Sequence, residues 1–151
     1  MATHDTKGVD VTRNLSYRII VLASALSRSA ARALPREAGI SVAEWRVLSV
    51  IGSRPDISFN ALVQTLEIDK GWISRTLVQL EKDGLVQRTP DPQDKRQFRL
   101  SLSDSGQALH MKGSGVSRER QRRLQSAFSA SELRTLESLL DRLQQAAEGL
   151  E

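Results

Sequence analysis

A change of hydrophobic period at Gly84 constrains the fold of this chain more than any other feature. The apolar residues ahead of it recur at helical spacing: Ile73, Leu77 and Leu80. Asp69 can cap this helix, and a glycine commonly follows a helix end. Beyond Gly84 the residues alternate, and a loop with two prolines separates residues 85–89 from residues 98–102. The sequence therefore predicts a helix over residues 70–83, followed by a two-stranded hairpin.

Two shorter helical segments precede this unit. Ser41 and Glu44 have the spacing of a capping box, which predicts a second helix that ends near Gly52. Ser58 can cap a short third helix, and residues 67–69 then form a tight connection. A helix, a short helix, a tight turn, a longer helix and a hairpin together predict a winged helix-turn-helix unit.

Long amphipathic helices are predicted at both ends of the chain. The first runs from Asp10 to Pro35, where Asp10 or Thr12 can cap its start and Pro35 ends it, and it has these apolar residues: Val11, Leu15, Ile19, Leu22, Leu26, Ala30 and Leu34. The last follows a second capping box (Ser129 and Glu132) and has a coiled-coil seam: Leu133, Leu136, Leu140, Leu143, Ala147 and Leu150. Packing within the chain could cover part of these stripes, whereas a second copy would cover them fully.

The helix between the hairpin and the last helix is less regular. Ser103 or Asp104 can cap it, and it is predicted to reach about Phe128. Gly113 and Gly115 weaken its middle by about 1 kcal/mol each. We expect either a kink at these glycines or a neighbour that packs unusually close.

Composition excludes several classes of protein. The chain has 151 residues, of which 39% are hydrophobic and 26% charged, and this permits a real core. It has no cysteine, and its two histidines, His4 and His110, lack paired ligands, so we expect no metal site and no cofactor. No apolar run reaches membrane-spanning length and the N-terminus lacks a signal-peptide core, which predicts a cytoplasmic protein without a membrane partner. The net charge of +4 is compatible with a polyanionic partner but does not prove one.

The helix predicted over residues 70–83 has polar residues on its outer face. Arg75 and Gln79 are four residues apart, so both could make bidentate contacts to bases in the major groove. Ser74 and the amides of the first turn could bind phosphate. The alternative is an ordinary solvated face. Trp72 is evidence against a solvated face, because an indole outside the apolar stripe costs free energy in water unless the ring contacts another group.

The predicted hairpin has a charged tip that consists of Asp94, Lys95 and Arg96. Two basic residues on a protruding loop suit the minor groove, and Asp94 could orient the guanidinium of Arg96. The alternative is a solvated turn with an incidental ion pair, which would contribute little.

These residues resemble the MarR family of bacterial transcription regulators. The matching segments are residues 42–48 (VAEWRVL), 69–75 (DKGWISR), 80–86 (LEKDGLV), Arg88, residues 94–96 (DKR) and residues 100–106 (LSLSDSG). The flanking helices fit too, so the resemblance covers nearly the whole chain. It implies a mainly α fold with a small β-hairpin wing, and a homodimer that binds a palindromic operator in double-stranded DNA, most often as a repressor.

The resemblance and the patterns together assign residues to roles. We expect a disordered segment over residues 1–9, dimerisation helices over 10–36 and 103–151, and a DNA-binding domain over 41–102. The predicted DNA contacts are Ser58, Asn60, Lys70, Gly71, Trp72, Ser74, Arg75, Gln79, Arg88, Asp94, Lys95 and Arg96. The predicted dimer contacts are Leu15, Ile19, Leu22, Leu133, Leu136, Leu140, Leu143 and Ala147.

The resemblance also implies an effector. Members of the family commonly release DNA when a small aromatic or phenolic acid binds where the dimer helices meet the winged unit. Trp45 and Arg46 lie on the helix that borders this junction, and an aromatic wall beside a cation would suit an aromatic carboxylate. The alternative is that Trp45 is simply a core residue.

An enzyme and a protein-binding module are the two alternatives to a DNA-binding protein. An enzyme would need a nucleophile–base pair or a cluster of acids, and the sequence contains no GxSxG, HExxH or glycine-rich phosphate loop. A winged-helix module that binds proteins would favour a neutral or acidic outer face, whereas this one carries Lys70, Arg75 and Lys82. Both alternatives are therefore less favoured than DNA binding.

Overall fold

A computed structural model describes residues 10–94 and 97–150 of the chain, and it is mainly α with a small β-sheet, as the sequence predicts. A 3-10 turn at Val11–Arg13 precedes the regular elements. In chain order these are α1 (Leu15–Ala38), α2 (Val42–Ser53), β1 (Ile57–Ser58), α3 (Phe59–Leu66), α4 (Lys70–Lys82), β2 (Val86–Pro90), β3 (Phe98–Leu102), α5 (Asp104–Gln125) and α6 (Ala130–Glu148).

The ends of α1 differ from the prediction. Asp10 caps the 3-10 turn instead of the helix, which begins at Leu15. Pro35 does not end α1 but lies inside it. The helix ends at Ala38, and Gly39 caps it with a φ of 72°; the N–H of Gly39 donates to the carbonyls of Leu34 and Pro35, and that of Ile40 donates to Leu34. Pro35 has no backbone N–H and therefore removes one hydrogen bond from the last turns of the helix. The turn at Gly39 satisfies the carbonyls of Leu34 and Pro35.

The sheet has a third strand that the sequence did not predict. Its order is β1-β3-β2, with both pairs antiparallel. In β1, Ile57 pairs with Leu100 and Ser58 pairs with Arg99. Two residues are too few to show an alternating pattern, so only the tertiary structure reveals this strand. It attaches the start of α3 to the hairpin.

The hydrophobic core lies inside the central unit. Its fully buried side chains come from α1 to α4, from the connection between α1 and α2, and from β3: Leu34, Ile40, Val47, Leu48, Ile51, Leu62, Ile73, Leu77, Leu80 and Leu100. The side chains at the two ends of the chain are different. Among the residues of α6, all of which the structure describes, none is buried.

The glycines of α5 have an explanation in the packing of this helix on α2. The helix continues through both glycines but ends at Gln125, three residues before the predicted end. A Cβ atom at Gly113 would lie 2.4 Å from the indole ring of Trp45, so only glycine lets the two helices approach this closely. The second of the two expected reasons, a close neighbour, therefore applies at Gly113.

Substitution of Gly113 by alanine should destabilise the protein by about 1–3 kcal/mol, because the Trp45 ring must move out of its packed position. Gly115 provides the control, since a Cβ there would meet nothing within 4 Å. Gly115→Ala should stabilise the helix by about 0.5–1 kcal/mol. Urea unfolding measures both, and equal effects of the two substitutions would contradict the close approach of Trp45.

No helix in the described part of the chain has both the length and the apolar character needed to cross a membrane.

Candidate nucleic-acid interface

Helix α4 turns one face inward and one face outward. The Asp69 carboxylate accepts a hydrogen bond from the backbone N–H of Trp72 (2.8 Å) and so caps the helix, as predicted. The inner face is buried: Ile73, Leu77 and Leu80. The outer face is exposed: Lys70, Ser74, Arg75 and Gln79. The structure thus brings four of the predicted DNA contacts onto one accessible surface, which we call the α4 surface.

Arg75 lies over the first turn of α4. A Cβ atom at Gly71 would be 3.4 Å from Nη1 of Arg75 and 3.2 Å from Oδ1 of Asp69, which is tight contact. The absence of a side chain at Gly71 therefore leaves room for the Arg75 guanidinium beside the capping carboxylate. This position holds a cation next to the free backbone amides at the start of the helix, so both could face a phosphate or a base edge.

Trp72 is not the exposed indole that the sequence suggested. It is half-buried and packs against the edge of the hydrophobic core. This packing explains an aromatic residue beside the apolar stripe without a DNA contact. The polar and charged residues of the α4 surface are therefore the ones that indicate DNA binding. Near Trp72, the Nζ of Lys70 lies 5.7 Å from the centre of the Phe59 ring.

Two predicted DNA contacts are engaged within the protein. The amide of Gln79 donates to both carboxylate oxygens of Asp83, at 2.9 Å each. Arg88 forms a bidentate ion pair with Glu81 (2.7 and 3.0 Å) and lies over the ring of Phe98 at 5.1 Å. Either side chain would have to share or leave these partners to contact DNA. The pair of Arg88 and Glu81 instead ties β2 to α4.

The two predicted contacts near the start of α3 have different surroundings. The Oγ of Ser58 accepts a hydrogen bond from the backbone N–H of Ala61 and caps α3, as the sequence predicts. Asn60 is exposed. It lies at a cleft of about 250 Å³ between α3, α4 and the hairpin, whose lining also includes these residues: Phe59, Ser74, Leu77, Arg88, Gln97, Phe98 and Leu100.

Asp91, which the sequence pattern did not single out, stabilises the hairpin where β2 ends and the loop begins. Asp91 is only 5% exposed, and its carboxylate accepts hydrogen bonds from the backbone N–H of Gln93 (2.8 Å) and from Nε of Arg99 (2.6 Å). Arg99 also donates to the carbonyl of Asp56 (3.2 Å) and so links the hairpin to the turn before β1. One available signal was the short side chain of an aspartate between two prolines, which is typical of a turn.

The tip of the hairpin is only partly described. Asp94 is exposed, its carboxylate accepts a hydrogen bond from the amide of Gln97 (3.1 Å), and its carbonyl accepts one from the Gln97 N–H (2.8 Å). The predicted contacts Lys95 and Arg96 lie outside the described residues.

The environment of Asp91 predicts a pH effect. The backbone N–H of Gln93 is the largest cause that lowers the pKa of this carboxyl, and Arg99 lowers it further, while burial opposes both. A lowered pKa in the folded state stabilises the protein above the ordinary value of 3.8, and this contribution is lost as the pH falls through the lower, folded value. The Asp91→Asn variant should therefore be less stable than the natural protein at pH 7. This difference in stability should shrink as the pH falls below 3.8.

Chemical unfolding at a series of pH values checks this effect. The exposed Asp141 offers a control, since Asp141→Asn should change stability little at any pH. A stability difference for Asp91→Asn that stayed constant from pH 7 to pH 3 would contradict the role of the ionised carboxylate.

The two residues predicted for an effector are placed differently. Trp45 is half-buried, lies against Gly113 and stacks on the ring of His110 with 5.7 Å between ring centres. Arg46 is exposed. The indole therefore serves the packing of α2 on α5, as the alternative held. Whether it also borders an effector remains a prediction.

Six of the eight predicted dimer contacts lie on one apolar surface across α1 and α6, which we call the end-helix surface. One cavity here is lined by Leu15, Arg18, Ile19, Leu22, Leu136, Leu139, Leu140 and Leu143. Several of its leucines remain exposed: Leu15 is 60% exposed, Leu22 58% and Leu140 53%. Leu139 belongs to this surface although the coiled-coil pattern did not include it. Leu133 and Leu143 are half-buried and Ala147 is exposed.

Helices α2 to α4, followed by the hairpin of β2 and β3, define the chain as a winged helix-turn-helix protein. Comparison with known proteins supports this assignment to the winged helix-turn-helix class. A sequence model of the MarR family matches residues 38–97. The multiple antibiotic resistance protein MarR of Escherichia coli strain K12 is 31% identical over 105 residues, which cover 69% of this chain and 73% of that protein. The chain belongs to the MarR family of transcriptional regulators, which are not enzymes.

Two other similar proteins are also transcriptional regulators. The homoprotocatechuate degradative operon repressor of Escherichia coli is 26% identical over 110 residues, which cover 73% of this chain and 74% of that protein. A crystal structure of a MarR/EmrR family transcriptional regulator from Acinetobacter sp. ADP1 superposes with a TM-score of 0.82 and 29% identity, over 93% of this chain and 99% of that one.

Proposed function

We propose that this protein is a repressor that binds a palindromic DNA operator as a homodimer. The observation that carries the proposal is the α4 surface, where Lys70, Ser74 and Arg75 are exposed opposite a fully buried face. A helix of this kind enters the major groove, where arginine reads guanine and hydroxyl groups bind phosphate. The hairpin lies beside it, and its tip, with Lys95 and Arg96, contacts the adjacent minor groove.

The homodimer follows from the end-helix surface. Exposed leucines on two long helices form an apolar area of the kind that marks a protein–protein interface. A second copy supplies the same surface, and two-fold symmetry places two α4 helices about one turn of DNA apart. Residues 10–36 and 103–151 then serve dimerisation, and residues 41–102 bind the operator in the cytoplasm.

An aromatic or phenolic acid is the effector that suits this protein. The name of the Escherichia coli relative, a repressor of homoprotocatechuate degradation, supports both repression and an aromatic acid. Arg46 is exposed on α2 next to Trp45, so its guanidinium can bind a carboxylate near the junction of α2 and α5. Such a ligand releases DNA if it favours a different spacing of the two α4 helices.

Fluorescence anisotropy with the DNA upstream of the protein's own gene tests operator binding. We expect binding that is tighter than to scrambled DNA and that falls steeply as salt rises, because several phosphates are contacted. A winged-helix module that binds proteins would show neither sequence preference nor a steep salt dependence. That result would remove the operator from the proposal.

The effector is tested with benzoate and hydroxybenzoates added to the operator complex. Arg46 is exposed, so Arg46→Gln should keep the fold and the operator affinity but need about tenfold more acid to release DNA. Equal sensitivity of the two proteins would remove Arg46 from the effector site.

A further inference from the structure

A second groove lies between α1 and α5, away from the proposed effector site. Its volume is about 280 Å³, and it is lined by Leu26, Ser29, Arg32, Ala33, Arg36, Glu37, Glu119, Arg120, Arg123 and Leu124. Trp45 packs on α5 at Gly113, whereas Arg120 is seven residues further along, about 10 Å at the rise of an α-helix. The groove is therefore a separate feature of the structure.

The charges in this groove do not balance. It holds four arginines but only two glutamates. Glu37 pairs with Arg36, and Glu119 pairs with Arg123 at 2.8 Å as well as with Arg122 outside the lining. The hydrogen bond from Arg123 and the charge of Arg122 lower the pKa of Glu119. The Glu119 carboxylate is therefore ionised and paired with these two arginines. Among the described residues, neither Arg32 nor Arg120 has an ion-pair partner.

Arg120 is the groove residue whose positive charge most clearly requires an anion nearby. Its Nη2 donates to the carbonyl of Leu26 in α1 (3.0 Å), so the guanidinium lies between the two helices. Its Nε is buried, and the described part of the chain offers it no hydrogen-bond partner. A partly buried cation without a carboxylate is costly unless an anion compensates its charge.

We propose that the α1–α5 groove binds a small organic dianion, such as a phosphate monoester or a dicarboxylate. The unpaired guanidiniums of Arg32 and Arg120 supply two positive charges, and each can bind two oxygens of an oxyanion. Leu26, Ala33 and Leu124 supply an apolar wall for the carbon part of the ligand. The volume lies just below the usual range for ligand pockets and suits a small metabolite.

The charge balance also decides against a monoanion. One carboxylate would neutralise one guanidinium and leave the other uncompensated. The glutamates already present would repel a larger polyanion that extends along the groove. A dianion matches the two unpaired cations. The site does not depend on operator binding, so it can be tested without DNA.

Thermal unfolding and calorimetry of the full chain test the proposal with inorganic phosphate and succinate as probes at pH 7.5. Acetate at equal ionic strength is the monoanion control. Either dianion at low millimolar concentration should raise the unfolding temperature, whereas acetate should not. A larger shift with phosphate assigns a phosphate monoester to the site, and a larger shift with succinate assigns a dicarboxylate.

Matched variants separate specific binding from the general stabilisation that phosphate gives to proteins. Arg32→Gln, at an exposed position, should weaken dianion binding about tenfold or more. Arg28→Gln, also exposed on α1 but outside the groove lining, should leave it unchanged. Arg120→Gln should abolish the shift. If this variant is poorly folded, Arg32→Gln still decides the question.

Three results would overturn the proposal. Equal shifts in Arg32→Gln and Arg28→Gln would show that phosphate acts on the protein generally. Equal shifts with acetate and succinate would show that charge number does not matter. A protein that ignores both dianions, but whose dimer dissociates on substitution of Arg120, would assign the groove to a carboxylate of the second copy.

Discussion

Replacement of both Leu136 and Leu140 by glutamate is expected to convert the proposed homodimer into a monomer at micromolar concentration. Within one chain Leu136 is 36% exposed and Leu140 is 53% exposed, so each would lose about 1 kcal/mol of burial energy at the interface. Four such side chains per dimer give about 4 kcal/mol, which is about a thousandfold in the dissociation constant. The new carboxylates add a further penalty, because they would face each other or apolar groups.

Sedimentation velocity measures this change. Ser138 and Gln145 are exposed on the side of α6 away from the seam, so Ser138→Glu with Gln145→Glu adds the same charge without touching the leucines. That control should remain dimeric. An intact dimer of the Leu136 and Leu140 variant would remove α6 from the interface.

Local signals in the sequence predicted most of the secondary structure. The capping boxes at Ser41 and Ser129 and the cap at Asp69 are present as expected. Each depends on residues within one helical turn, so the sequence contains all the information that is needed. The buried face of α4 follows from the same helical spacing.

Long-range contacts account for what the sequence did not reveal. The short strand at Ile57 exists because Leu100, 43 residues later, pairs with it. The ion pair of Asp91 and Arg99 spans the hairpin, and alternation of side chains says nothing about which charges meet across it. The half-burial of Trp72 was not predicted, because a position beside the apolar stripe does not show how far the core extends.

Replacement of Arg75 by alanine is expected to weaken operator binding more than any other single change on the α4 surface. Arg75 is exposed over the first turn, beside backbone amides that can hold a phosphate and so fix the helix in the groove. A bidentate contact to guanine is worth about 1–3 kcal/mol, and a dimer makes it twice. The total of about 2–6 kcal/mol corresponds to a loss of about thirtyfold to twenty-thousandfold in affinity.

Anisotropy on operator and scrambled DNA shows whether Arg75 reads a base or only binds phosphate. A base contact makes the loss large on the operator and small on scrambled DNA, whereas a phosphate contact weakens both equally and lowers the salt slope. Arg134→Ala, on the side of α6 away from the seam, removes the same charge and should change neither affinity. Gln79 on this surface is engaged with Asp83, and Arg88 on the neighbouring β2 is engaged with Glu81, which leaves Arg75 as the strongest candidate for a base contact. Unchanged affinity of Arg75→Ala for both DNAs would therefore exclude α4 as the reading helix.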